Sequence, residues 1–160
     1  MAMHEKDAVL FVCLGNICRS PLAEAAFRSV IDDHEIAPEI DSAGTGSWHV
    51  GHPPDLRAQA VARRNGIEIG HFRARRICPE DFERYSHIVV MDHANLETVR
   101  KACPPGARAA ISLLLDHVPG RAGEAVADPY FGEQEGFDIT WRDVRDGAQG
   151  LARRLAAGEI

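Results

Sequence analysis

Cys13, Arg19 and Ser20 stand in a Cys-x5-Arg-Ser spacing inside the run Cys13-Leu14-Gly15-Asn16-Ile17-Cys18-Arg19-Ser20-Pro21. These three residue types suit one tetrahedral oxyanion. A thiolate attacks its centre, while a planar guanidinium fork six residues later folds back and holds two of its oxygens. A hydroxyl donates to the sulfur and helps it leave again. Transfer of a phosphoryl group is mostly positioning and charge stabilisation, so the set addresses phosphate chemistry. Between Cys13 and Arg19, successive backbone N–H groups ahead of a helix supply fixed positive potential and stabilise the thiolate without a basic surface. Gly15 and Asn16 are the residues that accept a left-handed backbone in such a turn. Cys18 lies in the same loop, five residues from the nucleophile. It either captures an oxidised Cys13 as a disulfide or packs as a small hydrophobe, and both readings stand.

Asp128-Pro129-Tyr130-Phe131-Gly132 is a second candidate element. Pro129 and Gly132 keep it a loop, and an Asp above a cleft can protonate a leaving oxygen and then activate water. On the residues alone, however, Asp128 is one acid among 24, and a solvated Asp opening a turn is the simpler account.

The elements that position these residues alternate strand and helix. Residues 8–13 are apolar or small without alternation, as in a parallel strand covered on both faces. Leu22, Ala23, Ala26, Phe27 and Val30 then recur at helical spacing, with Pro21 in the first turn, which predicts a helix over about 20–31. The following elements are a strand over 38–43, a helix over 54–64 stopped by Asn65-Gly66, and a short helix over 79–85. Next come a strand over 87–91, a helix over 94–102 and a strand over 109–115. A last helix over about 137–157 carries Trp141, Val144, Ala148, Leu151 and Leu155 on one side. The expected fold is α/β, a single domain over residues 1–160 with a four-stranded parallel twisted sheet, helices on both faces and a phosphate-binding loop after strand one.

Composition narrows the function. A net charge of −6 over 160 residues argues against a nucleic-acid or anionic-membrane binder, so attraction for an anion must be local to the loop. The amino terminus MAMHEKD lacks the apolar region of a leader, and the chain reads as cytoplasmic. Four cysteines without Cys-x2-Cys spacing make neither a disulfide framework nor a zinc site. Gly44-Thr45-Gly46 lacks the third glycine of a dinucleotide fingerprint, and His49 and His52 read as solvated loop residues. No metal and no cofactor are expected.

The loop from Cys13 to Pro21, together with Asp128-Pro129-Tyr130, resembles the low-molecular-weight protein tyrosine phosphatases. Asp41-Ser42-Ala43-Gly44-Thr45, Gly51-His52-Pro53-Pro54-Asp55, His71 with Ala74-Arg75, and Val90-Met91-Asp92 extend the resemblance over nearly the whole chain. It implies hydrolysis of phosphotyrosine and small aryl phosphates through a cysteinyl-phosphate. In that reading Cys13 is nucleophile, Arg19 phosphate clamp and Asp128 general acid and base. Leu14, Gly15, Asn16, Ile17, Cys18 and Ser20 surround the phosphate, and Trp48, Tyr130 and Phe131 wall the pocket. The resemblance also implies that His71 and Ser42 support the Asn16 turn. Expected partners are a phosphotyrosine protein as substrate and inorganic phosphate or other oxyanions as inhibitors. Arsenate reductases of related fold share the Cys-x5-Arg loop but add two redox cysteines close together, whereas Cys78 and Cys103 lie 25 apart here. A non-catalytic phosphate-binding module is the other alternative, and the presence of Cys13, Arg19 and Asp128 together counts against it.

Overall fold

The computed structural model describes residues 7–160. The first six residues, most of the amino-terminal segment read above, lie outside them. Strand β1 (Ala8–Cys13) is buried along its full length. Val9, Phe11 and Cys13 enter one core and Ala8, Leu10 and Val12 the other, since successive strand side chains point to opposite faces. This two-sided burial is the physical reason that the run shows no alternation.

Helix α1 (Arg19–Val30) packs on the first of these faces, with the Phe27 ring edge-on to Phe11 at 5.4 Å. Strand β2 (Glu39–Gly44) pairs in parallel with β1 on one side. After helix α2 (Leu56–Arg64) and the single turn α3 (Asp81–Arg84), strand β3 (His87–Val90) pairs with β1 on the other side. Helix α4 (His93–Ala102) leads to β4 (Ala110–Leu113), which completes the order β2-β1-β3-β4. Helix α5 (Gln134–Ala156) then returns across the α1 side. Phe82, Tyr85 and Val99 cover the opposite face against Leu10, Ile88 and Val90. Because β1 has one neighbour reached from each direction, the crevice beyond its carboxyl end is the topological switch point of the sheet, where open α/β folds place their ligands.

Among the boundaries that differ from expectation, two have identifiable reasons. The apolar run 109–115 does not continue as strand: β4 ends at Leu113, and Leu114–His117 form a 3-10 turn. That turn packs on α5 so closely that a Cβ at Gly147 would sit 2.4 Å from the Leu114 side chain. Helix α5 starts three residues before the expected 137; apolar periodicity does not mark that start, since the first turn, Gln134-Glu135-Gly136, carries no apolar side chain.

Candidate active site

The chain leaves β1 at Cys13, turns through residues 14–18 and enters α1 at Arg19. Within this turn only Asn16 is left-handed, at φ 58°. Gly15, expected to share that role, does not; its missing side chain instead admits the His49 ring, whose Cδ2 would lie 3.0 Å from a Cβ there. Asn16 is held in its unfavourable conformation by its own amide group. Nδ2 donates to Ser20 Oγ (2.8 Å) and Ser42 Oγ (3.0 Å), and Oδ1 accepts from the Arg75 backbone N–H (2.9 Å). Ser42 in turn donates to Glu24 Oε1 (2.8 Å), whose other oxygen accepts from Arg28 Nε (2.9 Å). Burial pushes the Glu24 carboxyl up, against the hydrogen bonds from Ser42 and Arg28. The end of β2 clamps the same turn from the side, with Thr45 N–H donating to the Cys13 carbonyl and Gly46 N–H to that of Leu14, both at 2.9 Å. A side chain at Gly44 would meet the Leu14 carbonyl at 2.8 Å, so only glycine permits this approach.

Three donor groups converge on the Cys13 sulfur. The backbone N–H groups of Asn16 and Ser20 lie at 3.3 and 3.4 Å, and the Ser20 hydroxyl, which donates when the sulfur is ionised, lies at 3.0 Å. Arg19 is 2% exposed. Its NH1 donates to Asp92 Oδ2 (2.7 Å) and the Val126 carbonyl (3.0 Å), while NH2 faces Asp128 Oδ2 at 3.5 Å. Burial works against the guanidinium charge, but Cys13, Asp92 and Asp128 outweigh it and hold the group above its ordinary value. Such a fork is charged at every relevant pH and aimed by fixed partners.

Above the sulfur lies an open cavity of about 220 Å³. Cys13, Gly15, Cys18 and Arg19 line it together with Asp128, and Leu14 and Ile17 give it apolar walls. Trp48 (70% exposed), Tyr130 (36%) and Phe131 (96%) stand around its mouth. The geometry thus brings the candidate nucleophile, clamp, acid and ring walls to one cleft. Asp128 is partly exposed and also accepts the Tyr130 N–H at 3.1 Å. Cys18 is buried at the amino end of α1, and burial, reinforced by Cys13, Asp55 and Asp128, pushes its thiol well up. Cys13 and Cys18 are both free thiols.

His71 is the correction. It is exposed, edge-on to Phe72 at 4.8 Å, and the Asn16 amide is filled by Ser20, Ser42 and Arg75. The segment joins the cleft only from Ala74 onward, where Ala74 N–H donates to the His52 carbonyl and Gly51 N–H to that of Ala74. His71 lies on the outward turn before that junction. His49 corrects a second expectation, since it lines the cavity and stands 6.0 Å from the Tyr130 ring.

Asp92 and Arg75 stand in the sequence only as parts of the resembling motifs, with no role attached, and Glu24 stands in none. A signal existed for Asp92: Asp92-x-x-Asn95 after an apolar strand is a helix-start pattern, and it forms a capping box on α4 while its second oxygen holds Arg19. Glu24 sits among apolar α1 residues, and Arg75 acts through its backbone. Nothing in residue type marks either.

Residues 8–159 match the family model described as low molecular weight phosphotyrosine protein phosphatase. A Schizosaccharomyces pombe protein of that description is 40% identical over 157 residues, covering 96% of this chain and 100% of its own. A human protein of the same description is 39% identical over 150 residues, covering 89% and 91%. Among solved structures, a protein tyrosine phosphatase from Entamoeba histolytica with Hepes in the active site superposes with a TM-score of 0.91 at 33% identity, covering 97% of this chain and 100% of that one.

Proposed function

The chain belongs to the low molecular weight phosphotyrosine protein phosphatase family, and we propose that it hydrolyses phosphotyrosine in proteins through a cysteinyl-phosphate on Cys13. The observation that carries this is the convergence of the Asn16 and Ser20 donors on the Cys13 sulfur beside a buried, fixed Arg19. In the first step the Cys13 thiolate attacks phosphorus, the S–P bond forms and the bond to the phenolic oxygen breaks. Arg19 NH2 and the backbone N–H groups of the loop hold the equatorial oxygens as their charge redistributes. For that, the incoming phosphate replaces Asp128 as the partner of NH2. Asp128, released from that ion pair, takes up a proton from solvent and gives it to the departing phenolate. In the second step Asp128 takes a proton from water as that oxygen attacks phosphorus, the S–P bond breaks, and the Ser20 hydroxyl stabilises the thiolate that leaves.

The ring walls suit an aryl ester. Leu14, Ile17, Trp48, Tyr130 and Phe131 offer apolar surface beyond a deep-set phosphate site, so a long planar side chain reaches the sulfur with its ring covered. Inorganic phosphate and related oxyanions are expected to compete for the same loop. Among the described residues no helix is long and apolar enough to cross a membrane. With four free cysteines, this supports placing the protein in the reducing cytoplasm.

The test is hydrolysis of phosphotyrosine peptides and aryl phosphates with a chelator present, beside thioredoxin-coupled reduction of arsenate. Turnover of the esters and none of arsenate is expected; the reverse would replace the phosphatase reading with the reductase one. Neither activity, with phosphate still bound, would leave a phosphate-binding module. Peroxide is expected to inactivate the enzyme at Cys13, with Cys18 capturing the sulfenic acid. Dithiothreitol then restores wild type and not Cys18→Ser; equal recovery would reduce Cys18 to packing.

A further inference from the structure

Arg57, in the first turn of α2, makes contacts that the chemistry above does not use. Its guanidinium forks onto Asp55, with Nε to Oδ1 at 3.0 Å and NH2 to Oδ2 at 2.9 Å. From that anchor NH1 donates to the Gly132 carbonyl (2.8 Å) and NH2 to the Tyr130 carbonyl (2.9 Å). Its plane lies over the Phe137 ring at 4.6 Å and within 5.8 Å of the Tyr130 ring. Asp55 is itself tied to the phosphate loop, because its backbone N–H donates to the Ile17 carbonyl at 2.9 Å. One side chain therefore joins the wall of the phosphate loop to the segment that carries the acid.

We infer that Arg57 is a positioning residue that holds the Asp128 loop over the cleft at a fixed distance from the phosphate loop. The inference rests on the phosphatase reading and deepens it. On its amino-terminal side the acid loop is pinned at Val126, whose N–H donates to the Met91 carbonyl and whose carbonyl accepts from Arg19. On its carboxyl-terminal side the Arg57 fork grips the carbonyls of Tyr130 and Gly132, on either side of the exposed Phe131. Asp128 hangs between these two pins. Its own contacts are an ion pair to Arg19, which substrate displaces, and the Tyr130 N–H, which moves with the loop. During turnover Arg57 is thus the fixed restraint nearest the acid on its downstream side. Lysine cannot substitute fully, since a single ammonium cannot serve a carboxylate and two carbonyls in one plane.

kcat/KM reports the first step, in which a misplaced acid is felt in proportion to the leaving oxygen's need for a proton. The experiment measures kcat/KM for a series of aryl phosphates, from strongly activated nitrophenols to phenol, in wild type, Arg57→Lys and Arg57→Met. For Arg57→Met, kcat/KM on phenyl phosphate is expected to fall by roughly tenfold or more, and on the most activated ester by less than about twofold. Arg57→Lys falls between. In an Asp128→Ala background, Arg57→Met adds no further leaving-group dependence, because the acid it positions is gone. Thermal melting shows which variants are folded. If Arg57→Met melts below the assay temperature, the comparison is made with Arg57→Lys, which must still be steeper than wild type. A loss equal for all leaving groups, or the same steepening with Asp128 removed, would overturn the inference while leaving the phosphatase reading intact. Failure of that reading is separately visible, as wild type that turns over none of the esters.

Discussion

The two loops that meet at the cleft are built on opposite plans. The turn over Cys13 is buried and over-determined: Asn16, Ser20, Ser42, Glu24, Arg75 and the end of β2 all act on eight residues. The segment around Asp128 is half open to water, with Phe131 96% exposed, and is gripped at its two ends. The difference follows from what each must do. Equatorial oxygens gain most from donors that are already in place, because reorganisation during the reaction would consume the stabilisation. In the mechanism proposed above, Asp128 must leave Arg19 when phosphate arrives, serve two different oxygens in turn and let product out, so a tightly packed acid would fail. On that proposal the molecule separates a rigid anion cradle from a tethered proton carrier.

This contrast can be broken at several depths. The largest effect is expected from Cys13→Ser, which should lower turnover by roughly 10⁴-fold or more, since an alcohol in this cradle is a poor nucleophile. Oxyanion binding, read by calorimetry with inorganic phosphate, should persist because Arg19 and the backbone donors remain. Substantial turnover in Cys13→Ser would remove the covalent mechanism. Asp128→Ala comes next, with kcat/KM on phenyl phosphate falling by about 10²-fold or more and on activated esters by far less. A uniform loss across leaving groups would assign the proton to another residue.

Damage to the cradle should look different from damage to the acid loop. Ser42→Ala removes one Asn16 partner and leaves Glu24 with an unfilled acceptor. It is expected to lower kcat/KM by roughly tenfold for activated and unactivated esters alike, and to cost about 1 to 2 kcal/mol in chemical denaturation. A leaving-group-selective loss in Ser42→Ala would erase the separation between the two loops. The smallest effect belongs to His71→Ala, expected within about twofold of wild type in both kcat/KM and stability, as for exposed side chains away from packed features. A tenfold loss there would restore the support role that the resemblance implies and the geometry removes.

Local chemistry in this chain was legible wherever it is written in consecutive residues. The apolar run 8–13, the Cys-x5-Arg-Ser spacing and the Pro21 helix start specify a strand, a cradle and a helix in immediate succession. Side-chain periodicity along 141–155 likewise marks the buried face of α5. Asn16 was identified as a residue able to turn left-handed, and it does. Its neighbour Gly15 fits the same use on sequence, because glycine tolerates close approach and unusual backbone angles equally and residue type does not tell the two apart. Trp48, Tyr130 and Phe131 reached the mouth of the cavity only through the resemblance; their own neighbourhoods are ordinary loops.

What the chain alone determined is the set of groups and a local turn able to concentrate them: a left-handed residue at Asn16 between strand and helix folds the eight residues back so that nucleophile, guanidinium and hydroxyl meet. What tertiary structure decided is everything supplied by another element. Arg19 is aimed by Asp92 from the end of β3 and by the Val126 carbonyl, 73 and 107 residues away, and Asn16 is braced by the Arg75 backbone, 59 residues away. A backbone donor has no residue type, so no composition or spacing could reveal that Arg75 fills the place assigned to His71. The parallel sheet brings these groups together because strand pairing aligns the carboxyl ends of β1, β2 and β3, and the contacts made there depend on register and crossover rather than on which residues follow one another.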